Sequence, residues 1–193
     1  LIIKFIDSLG SKDIGKHDHY EIQFKDNKIL RYNDIRKFGS IHWTQDIDNH
    51  FLIKNLGPEP LSEKFNGVFL KNKCRKRNVA IKNLIMNQNI VVGVGNIYAC
   101  ESLYLSSIRP EKKCKYITLK QCNDLAKAIK YVLKKSIKSG GTTLKDFKTL
   151  DGTPGYFKQK LMIYDCKICK CGAKVKNIKL GGRSSFYCNI CQK

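Results

Sequence analysis

Acidic residues are scarce in this sequence. Sixteen Asp and Glu stand against 37 Lys and Arg, which leaves a formal net charge of +21. Such a surface is poorly suited to a cationic partner and points to a polyanion, with nucleic acid the first candidate and an anionic membrane surface the second. Long apolar runs are also missing: none approaches the roughly 20 residues that span a bilayer, which excludes a transmembrane helix. Evenly distributed cysteine pairs are missing too. The nine Cys are an odd number; five fall in the last 28 residues, and Cys74, Cys100, Cys114 and Cys122 are scattered singly. That pattern excludes a secreted disulfide scaffold and fits a reduced, cytoplasmic protein with a terminal metal site. An initiating Met is absent, and the opening Leu1-Ile2-Ile3-Lys4-Phe5-Ile6 is too short for a signal-peptide core. It reads as the end of a strand whose neighbours precede it, so a native N-terminus is expected upstream. What remains is ample for folding: 42% of the 193 residues are hydrophobic, which excludes a wholly disordered chain and suits one large or two small domains.

The first 50 residues have strand character. Tyr20 to Phe24 alternates, Asp26-Asn27 makes a turn, Ile29 to Tyr32 answers it, and Ser40 to Thr44 is expected as a further short strand. Gly57-Pro58-Glu59-Pro60 breaks the pattern as a linker. Helical spacing follows from Val79 to Met86, then a tight turn at Val91 to Gly95, then a helix opened by Asn96 and running through Leu105. Thr118 with Gln121 has the form of a capping box, ahead of an apolar face of Leu125, Ile129, Val132, Leu133 and Ile137 that stops at Gly140-Gly141. Residues 150 to 157 read as a loop, and the Cys- and Lys-rich tail as short strands around a metal.

Three features carry chemistry. In the tail, Cys188-x2-Cys191 is a ligand knuckle with a second Cys cluster upstream, and four thiolates in two pairs match a structural tetrahedral zinc site. The upstream pair is ambiguous, because Cys166-x2-Cys169 has the commonest spacing while Cys171-Gly172 is the usual end of a knuckle. Lys174, Lys176, Lys179 and Arg183 lie between the knuckles with no acid among them, so this tip would offer positive charge to phosphates. The second feature is the cluster Lys71, Lys73, Arg75, Lys76, Arg77 and Lys82, which leads to the turn before Asn96, where helix N–H groups could hold a phosphate. Gly93-Val94-Gly95 lacks the preceding strand and third Gly of a dinucleotide fingerprint, which rules that reading out. The third is Arg36-Lys37-Phe38-Gly39, an Arg beside an aromatic of the kind that wedges into a base stack. His17 and His19 fall on one strand face and suit polar contact better than ligation.

Seven stretches occur in an order that resembles the bacterial formamidopyrimidine-DNA glycosylase family: Lys16 to His19; Leu30 to Asp34 with Arg36 to Gly39; Leu56 to Ser62; Val91 to Ala99; Gly140 to Phe147; Pro154 to Phe157; and Phe186 to Cys188 with Cys191-Gln192-Lys193. The resemblance implies an α+β chain: the C-terminal part of a β-sandwich domain at 1–55, a linker at 56–64, a helix–two-turn–helix domain at 65–158 and a zinc finger at 159–193. It implies excision of oxidised purines (8-oxoguanine, formamidopyrimidines) from duplex DNA in base-excision repair, with AP lyase activity. By the same resemblance His17 and Arg77 contact the DNA backbone, and Asn96 grips phosphates beside the lesion. Arg36 and Phe38 fill the gap left by the flipped base. Tyr164 and Arg183 add phosphate contacts, Arg183 also serves δ-elimination, and residues 152 to 157 help cap the base. The partner would be damaged double-stranded DNA, without a membrane, and the protein a monomer of the bacterial cytoplasm and nucleoid.

The family's N-terminal Pro nucleophile, the Glu after it and an early hairpin Lys have no match here. The resemblance therefore implies DNA gripping and lesion probing without the nucleophile, with a non-catalytic zinc-dependent damaged-DNA-binding module as the alternative. The endonuclease VIII branch is disfavoured by the stretches at 140–147 and 154–157, and an RNA-binding zinc ribbon is a more distant alternative. Alignment on Arg183 and Cys188 places the family's second metal ligand on Cys171 and its first on Ile168. The expected set is Cys166 (or Cys169), Cys171, Cys188 and Cys191, with Cys166 preferred because it leaves a looser loop before Cys171.

Overall fold

The computed structural model describes residues 2–7, 13–141 and 161–193. The stretch from Thr142 to Phe147 and the loop at 150–157 lie outside the described residues. The chain divides into two compact units, one within residues 1–45 and 136–160, the other within 46–135 and 161–193.

The first unit carries a three-stranded antiparallel sheet, β1 (Ile2–Asp7), β2 (Asp18–Gln23) and β3 (Lys28–Asn33), in the order β1-β3-β2. The expected β2–β3 hairpin is present: Phe24 N–H donates to Lys28 O at 2.8 Å, and Asn27 takes a positive φ of 60° in the turn. Its register sets Glu21 opposite Arg31. Arg31 is buried, bonds Glu21, approaches Asp18 at 3.5 Å and donates to Asp13 O at 2.9 Å, so its charge is balanced inside the sheet. Ser40 to Thr44 forms no strand. Ile41 and Trp43 are exposed, and that segment pairs with none of the three strands.

The second unit is helical: α1 (Gly67–Cys74), α2 (Ile81–Ile85), α3 (Asn96–Leu105) and all but the last three residues of α4 (Leu119–Lys138). They enclose one core that includes Phe65, Leu70, Ile81, Ile85, Val91, Leu103, Ile108, Leu125 and Ile129. The Thr118 capping box forms in both directions, Gln121 N–H to Thr118 Oγ1 at 3.2 Å and Thr118 N–H to Gln121 Oε1 at 3.1 Å. On α4, Leu125, Ile129, Val132 and Leu133 are buried as expected, but Ile137 is exposed. The 3.6-residue repeat carries the buried line from Ile129 to Ser136 instead. A hairpin of β4 (Lys176–Leu180) and β5 (Arg183–Tyr187) completes the unit. Gly181 and Gly182 both have positive φ (54° and 76°), which a two-residue turn matching the twist of the strands requires.

The α2–α3 connection is two successive turns, closed by Ile90 N–H to Asn87 O at 2.8 Å and Gly95 N–H to Gly93 O at 3.2 Å. The segment expected as a linker is bound to it. Gly57 N–H donates to Gln88 O at 2.7 Å, and Val92 N–H reaches Pro58 O at 3.4 Å. A Cβ on Gly57 would fall 2.4 Å from the Ile90 carbonyl carbon, a backbone atom that cannot swing aside. Gly57→Ala is therefore expected to destabilise the protein by about 1–3 kcal/mol, as overpacking does. Chemical denaturation compared with wild type checks this; an unchanged midpoint would contradict the close approach.

Candidate nucleic-acid interface and metal centre

In the first unit the Arg36–Gly39 loop is organised by Asp34, which is buried at 3% exposure. Its carboxylate accepts from Gly39 N–H at 2.7 Å and Arg36 N–H at 3.2 Å, and its carbonyl accepts from Lys37 N–H at 3.3 Å. Lys37 takes a positive φ of 54°. The loop thus turns Phe38 outward, 84% exposed, with the Arg36 guanidinium 5.5 Å from its ring centre. A large aromatic held that far into solvent, with a cation beside it, is not serving as core. His17 lies at the start of β2; its carbonyl accepts from Asp34 N–H at 3.0 Å, and His19 Nε2 lies 3.0 Å from Asp34 O. Asp34 thus joins His17, through its backbone, to the loop that carries Arg36 and Phe38.

The second unit holds the other expected residues. Asn96 opens α3, whose N-terminus no side chain caps and whose first turn has no acid. Asn96 Nδ2 donates to Ser184 O at 3.0 Å and lies 3.4 Å from the Tyr164 hydroxyl. Arg183, next to Ser184 at the head of β5, is exposed. Asn96, Tyr164 and Arg183 are thus gathered where α3 meets the hairpin. Arg77 lies on the exposed stretch Arg75 to Val79 after α1.

Lys82 departs from the expected solvent-facing basic cluster. It is fully buried, and its Nζ donates to Asn96 Oδ1 and Ser185 Oγ, both at 2.5 Å, and to Ser184 O at 3.3 Å. Burial pushes its pKa down; the nearby Cys100 thiol opposes this, and the Arg183 guanidinium adds to it. Lys82 is buried because α2 turns it inward, among oxygens that satisfy its donors. It holds Asn96 and the hairpin together, a role that charge clustering along the chain does not signal.

At the tail the sulfur atoms of Cys169, Cys171, Cys188 and Cys191 all lie within 4.8 Å of one another. Cys166 is outside this group; its thiol lies 4.0 Å from Leu161 O and 3.8 Å from Tyr164 O. The preference for Cys166 is corrected to Cys169. The single-residue spacing is workable because the chain reverses tightly, with Gly172 N–H to Cys169 O at 2.9 Å and Cys169 N–H to Ala173 O at 2.8 Å. Tetrahedral zinc with Zn–S bonds near 2.3 Å requires sulfurs about 3.8 Å apart. Two of the separations are 3.8 Å (Cys169–Cys191) and 3.6 Å (Cys171–Cys188), so the four thiols fit such an ion. Burial alone would raise the Cys169 thiol, but donors from the Cys171 backbone, the Tyr104 hydroxyl and neighbouring thiols outweigh it and bring its pKa to about 6.

The tail has two anchors; Glu101 was not singled out by sequence reasoning, and Gln192 was named only within the stretch that ends at Lys193. Glu101, fully buried on α3, accepts three backbone N–H groups, those of Met162, Ile163 and Tyr164, each at 2.9 Å. Gln192, also fully buried, accepts from Cys188 N–H at 2.8 Å and donates to Ile108 O at 2.7 Å. A lone Glu among apolar helix residues and a terminal Gln were the only available signals.

Asp34 gives a pH test. The Gly39 N–H, opposed by burial and helped by the Arg36 N–H, holds its carboxyl below the ordinary 3.8. A depressed folded value means that the carboxylate's contribution is complete above the unfolded pKa and is lost as pH falls through the folded one. Protection of the Arg36 and Gly39 amides in hydrogen exchange, corrected for intrinsic rates, should hold from pH 7 to pH 4 and fall only below about 3.8. Loss already at pH 6 would show that the carboxylate does not order the loop.

Comparison with known proteins supplies the family. The model of the formamidopyrimidine-DNA glycosylase H2TH domain matches residues 56–148. The chain is 50% identical over 183 residues to the formamidopyrimidine-DNA glycosylase of Haemophilus influenzae strain PittEE, covering 93% of this chain and 68% of that protein. It is 51% identical over 181 residues to the one from Actinobacillus pleuropneumoniae serotype 5b, covering 92% and 66%. Among solved structures, Lactococcus lactis Fpg in complex with DNA containing an abasic site superimposes with a TM-score of 0.87 at 34% identity, covering all of this chain and 71% of that one. MutM (Fpg) from Thermus thermophilus gives 0.84 at 28% identity, covering 100% and 73%. Together with the exposed Phe38 loop, the Asn96 turn and the four-thiol tail, this places the chain in the formamidopyrimidine-DNA glycosylase family.

Proposed function

We propose that this chain grips damaged duplex DNA in base-excision repair of oxidised purines and carries the family's DNA-holding and lesion-probing groups. The observation that supports this best is that each unit carries a surface suited to its own task. Phe38, held in solvent beside Arg36, suits insertion into the stack left by an extruded base. The uncapped start of α3, with the Asn96 amide and exposed Arg183 nearby, suits phosphate. Arg77 and His17 add backbone contacts, and Tyr164, edge-on to Phe186 at 4.9 Å, fixes the wall behind Asn96. Cys169, Cys171, Cys188 and Cys191 hold zinc, which supplies a rigid charged core for a tail too small to fold on its own apolar contacts.

Excision in this family requires an amine that attacks the sugar C1′ and forms a Schiff base. A proline can do this only with a free secondary amine. Pro58, Pro60, Pro110 and Pro154 are all internal, so each nitrogen is an amide. The groups assigned to the chain by this proposal bind and probe DNA; cutting would need such an amine in addition. Arg183 would serve δ-elimination only when such a nucleophile is present.

Fluorescence anisotropy with an abasic-site duplex tests the binding. If roughly six phosphates are held, log K falls with log[salt] with a slope near −5. Arg77→Ala should weaken damaged and undamaged duplex alike and reduce that slope by about 1. Phe38→Ala should instead erase the preference for the damaged site. Borohydride should trap no covalent adduct. A trapped adduct would overturn the binder reading, and equal affinity for single-stranded RNA would overturn the DNA reading.

Zinc removal gives a separate check. A chelator should release one zinc per chain, lower the melting temperature and weaken DNA binding at least tenfold, with recovery on adding zinc back. Full DNA affinity in the metal-free protein would count against the tail's role.

A further inference from the structure

α3 presents Asn96, Cys100, Glu101 and Tyr104 to the C-terminal segment, a spacing that puts all four on one helix face. Asn96 bonds Ser184 O, Cys100 packs in the small apolar cluster with Ile163, Cys169 and Cys188, and Glu101 caps the backbone of residues 162–164. Tyr104 completes the row. Its ring is packed against that same cluster, and its hydroxyl oxygen lies 3.2 Å from Cys169 Sγ. Among the described hydrogen bonds of this face, that of Tyr104 is the one that reaches a sulfur of the four-thiol group.

We propose that Tyr104 is a positioning residue for the metal centre: its hydroxyl donates a hydrogen bond to the Cys169 thiolate, orienting that ligand and fastening the centre to α3. The inference rests on the zinc reading of the four thiols. A metal-bound thiolate carries no proton, so only the phenol can donate. Four thiolates around one divalent ion leave two negative charges in a half-buried site, and a donor aimed at one sulfur stabilises that charge. The knuckle makes the donor useful. With a single residue between Cys169 and Cys171, the direction of the Cys169 sulfur depends on a tight reversal, and an outside contact fixes it. The phenol stands eight residues along α3 from Asn96, about 12 Å at 1.5 Å per residue, so one rigid helix carries both the phosphate-facing amide and the ligand-orienting hydroxyl.

The test compares wild type, Tyr104→Phe and, as a control, Tyr116→Phe, whose ring is exposed beside Lys115. Tyr104→Phe keeps the ring and removes only the donor. Zinc affinity is read by competition with a chromophoric chelator, and the sulfur-to-metal charge-transfer absorption by substitution with Co²⁺. Wild type and Tyr116→Phe should bind one zinc with the same affinity. Tyr104→Phe should bind about 10–100-fold more weakly, as loss of such supporting groups does, with its charge-transfer band moved to longer wavelength. A fluorotyrosine at position 104, a stronger donor of nearly the same shape, should move the band the other way, and it decides the matter should Tyr104→Phe not fold. Affinity within twofold of wild type together with superimposable Co²⁺ spectra would overturn the proposal. A wild-type chain that holds no zinc would overturn the four-thiol reading itself, a separate and distinguishable failure.

Discussion

The second unit depends on one buried carboxylate. Among the described residues no cation pairs with Glu101; its carboxylate is met by three backbone N–H groups of residues 162–164. A buried charge left unpaired costs several kcal/mol, so those three donors cannot leave without a severe penalty. That requirement fixes where the tail begins. Tyr164 is then placed against Phe186 and Asn96, and the four-thiol group sits at the far end of α3. The tail's final residues are fixed separately by Gln192, bonded to Ile108 O, and by Lys193 N–H to Ser107 O at 3.0 Å.

Three other acids are used in a comparable way. Asp34 organises the Phe38 loop, and Asp18 and Glu21 neutralise buried Arg31. The structural acids are engaged with backbone amides or with one interior Arg, while Arg36, Arg77 and Arg183 are exposed. A net charge of +21 is therefore not spread evenly over paired residues. Exposed Arg and Lys of this kind are what a polyanion would meet, with counterion release as the source of affinity under the proposed function. Lys82, like Arg31, is a cation drawn inward, and it joins Asn96 to the hairpin.

Much of the fold could be read from local pattern. The β2–β3 hairpin follows from alternation and a turn dipeptide, α3 from the spacing after the tight turn, and α4 from its capping box and apolar face. Those are properties of neighbours in sequence, set by backbone geometry and periodicity. Ser40 to Thr44 alternates equally well, yet forms no strand, because a strand needs a partner edge and local pattern does not supply one. Gly57 to Pro60 reads as a tether from composition alone but is hydrogen-bonded to the two turns, since composition is blind to what packs alongside.

By itself the sequence determined the order of the elements, the basic surface, the presence of a thiol site and the family, because each depends on residue identity and spacing along the chain. Only the tertiary structure decided which thiols converge, which lysine is buried and which loop aromatic faces water. Spacing favours Cys166 for its looser loop before Cys171, yet the fold brings the sulfur of Cys169, not that of Cys166, to the other three. The reason is general: ligand choice and burial are set by contacts between segments distant in sequence, and Lys82 with Ser185, 103 residues apart, is such a contact.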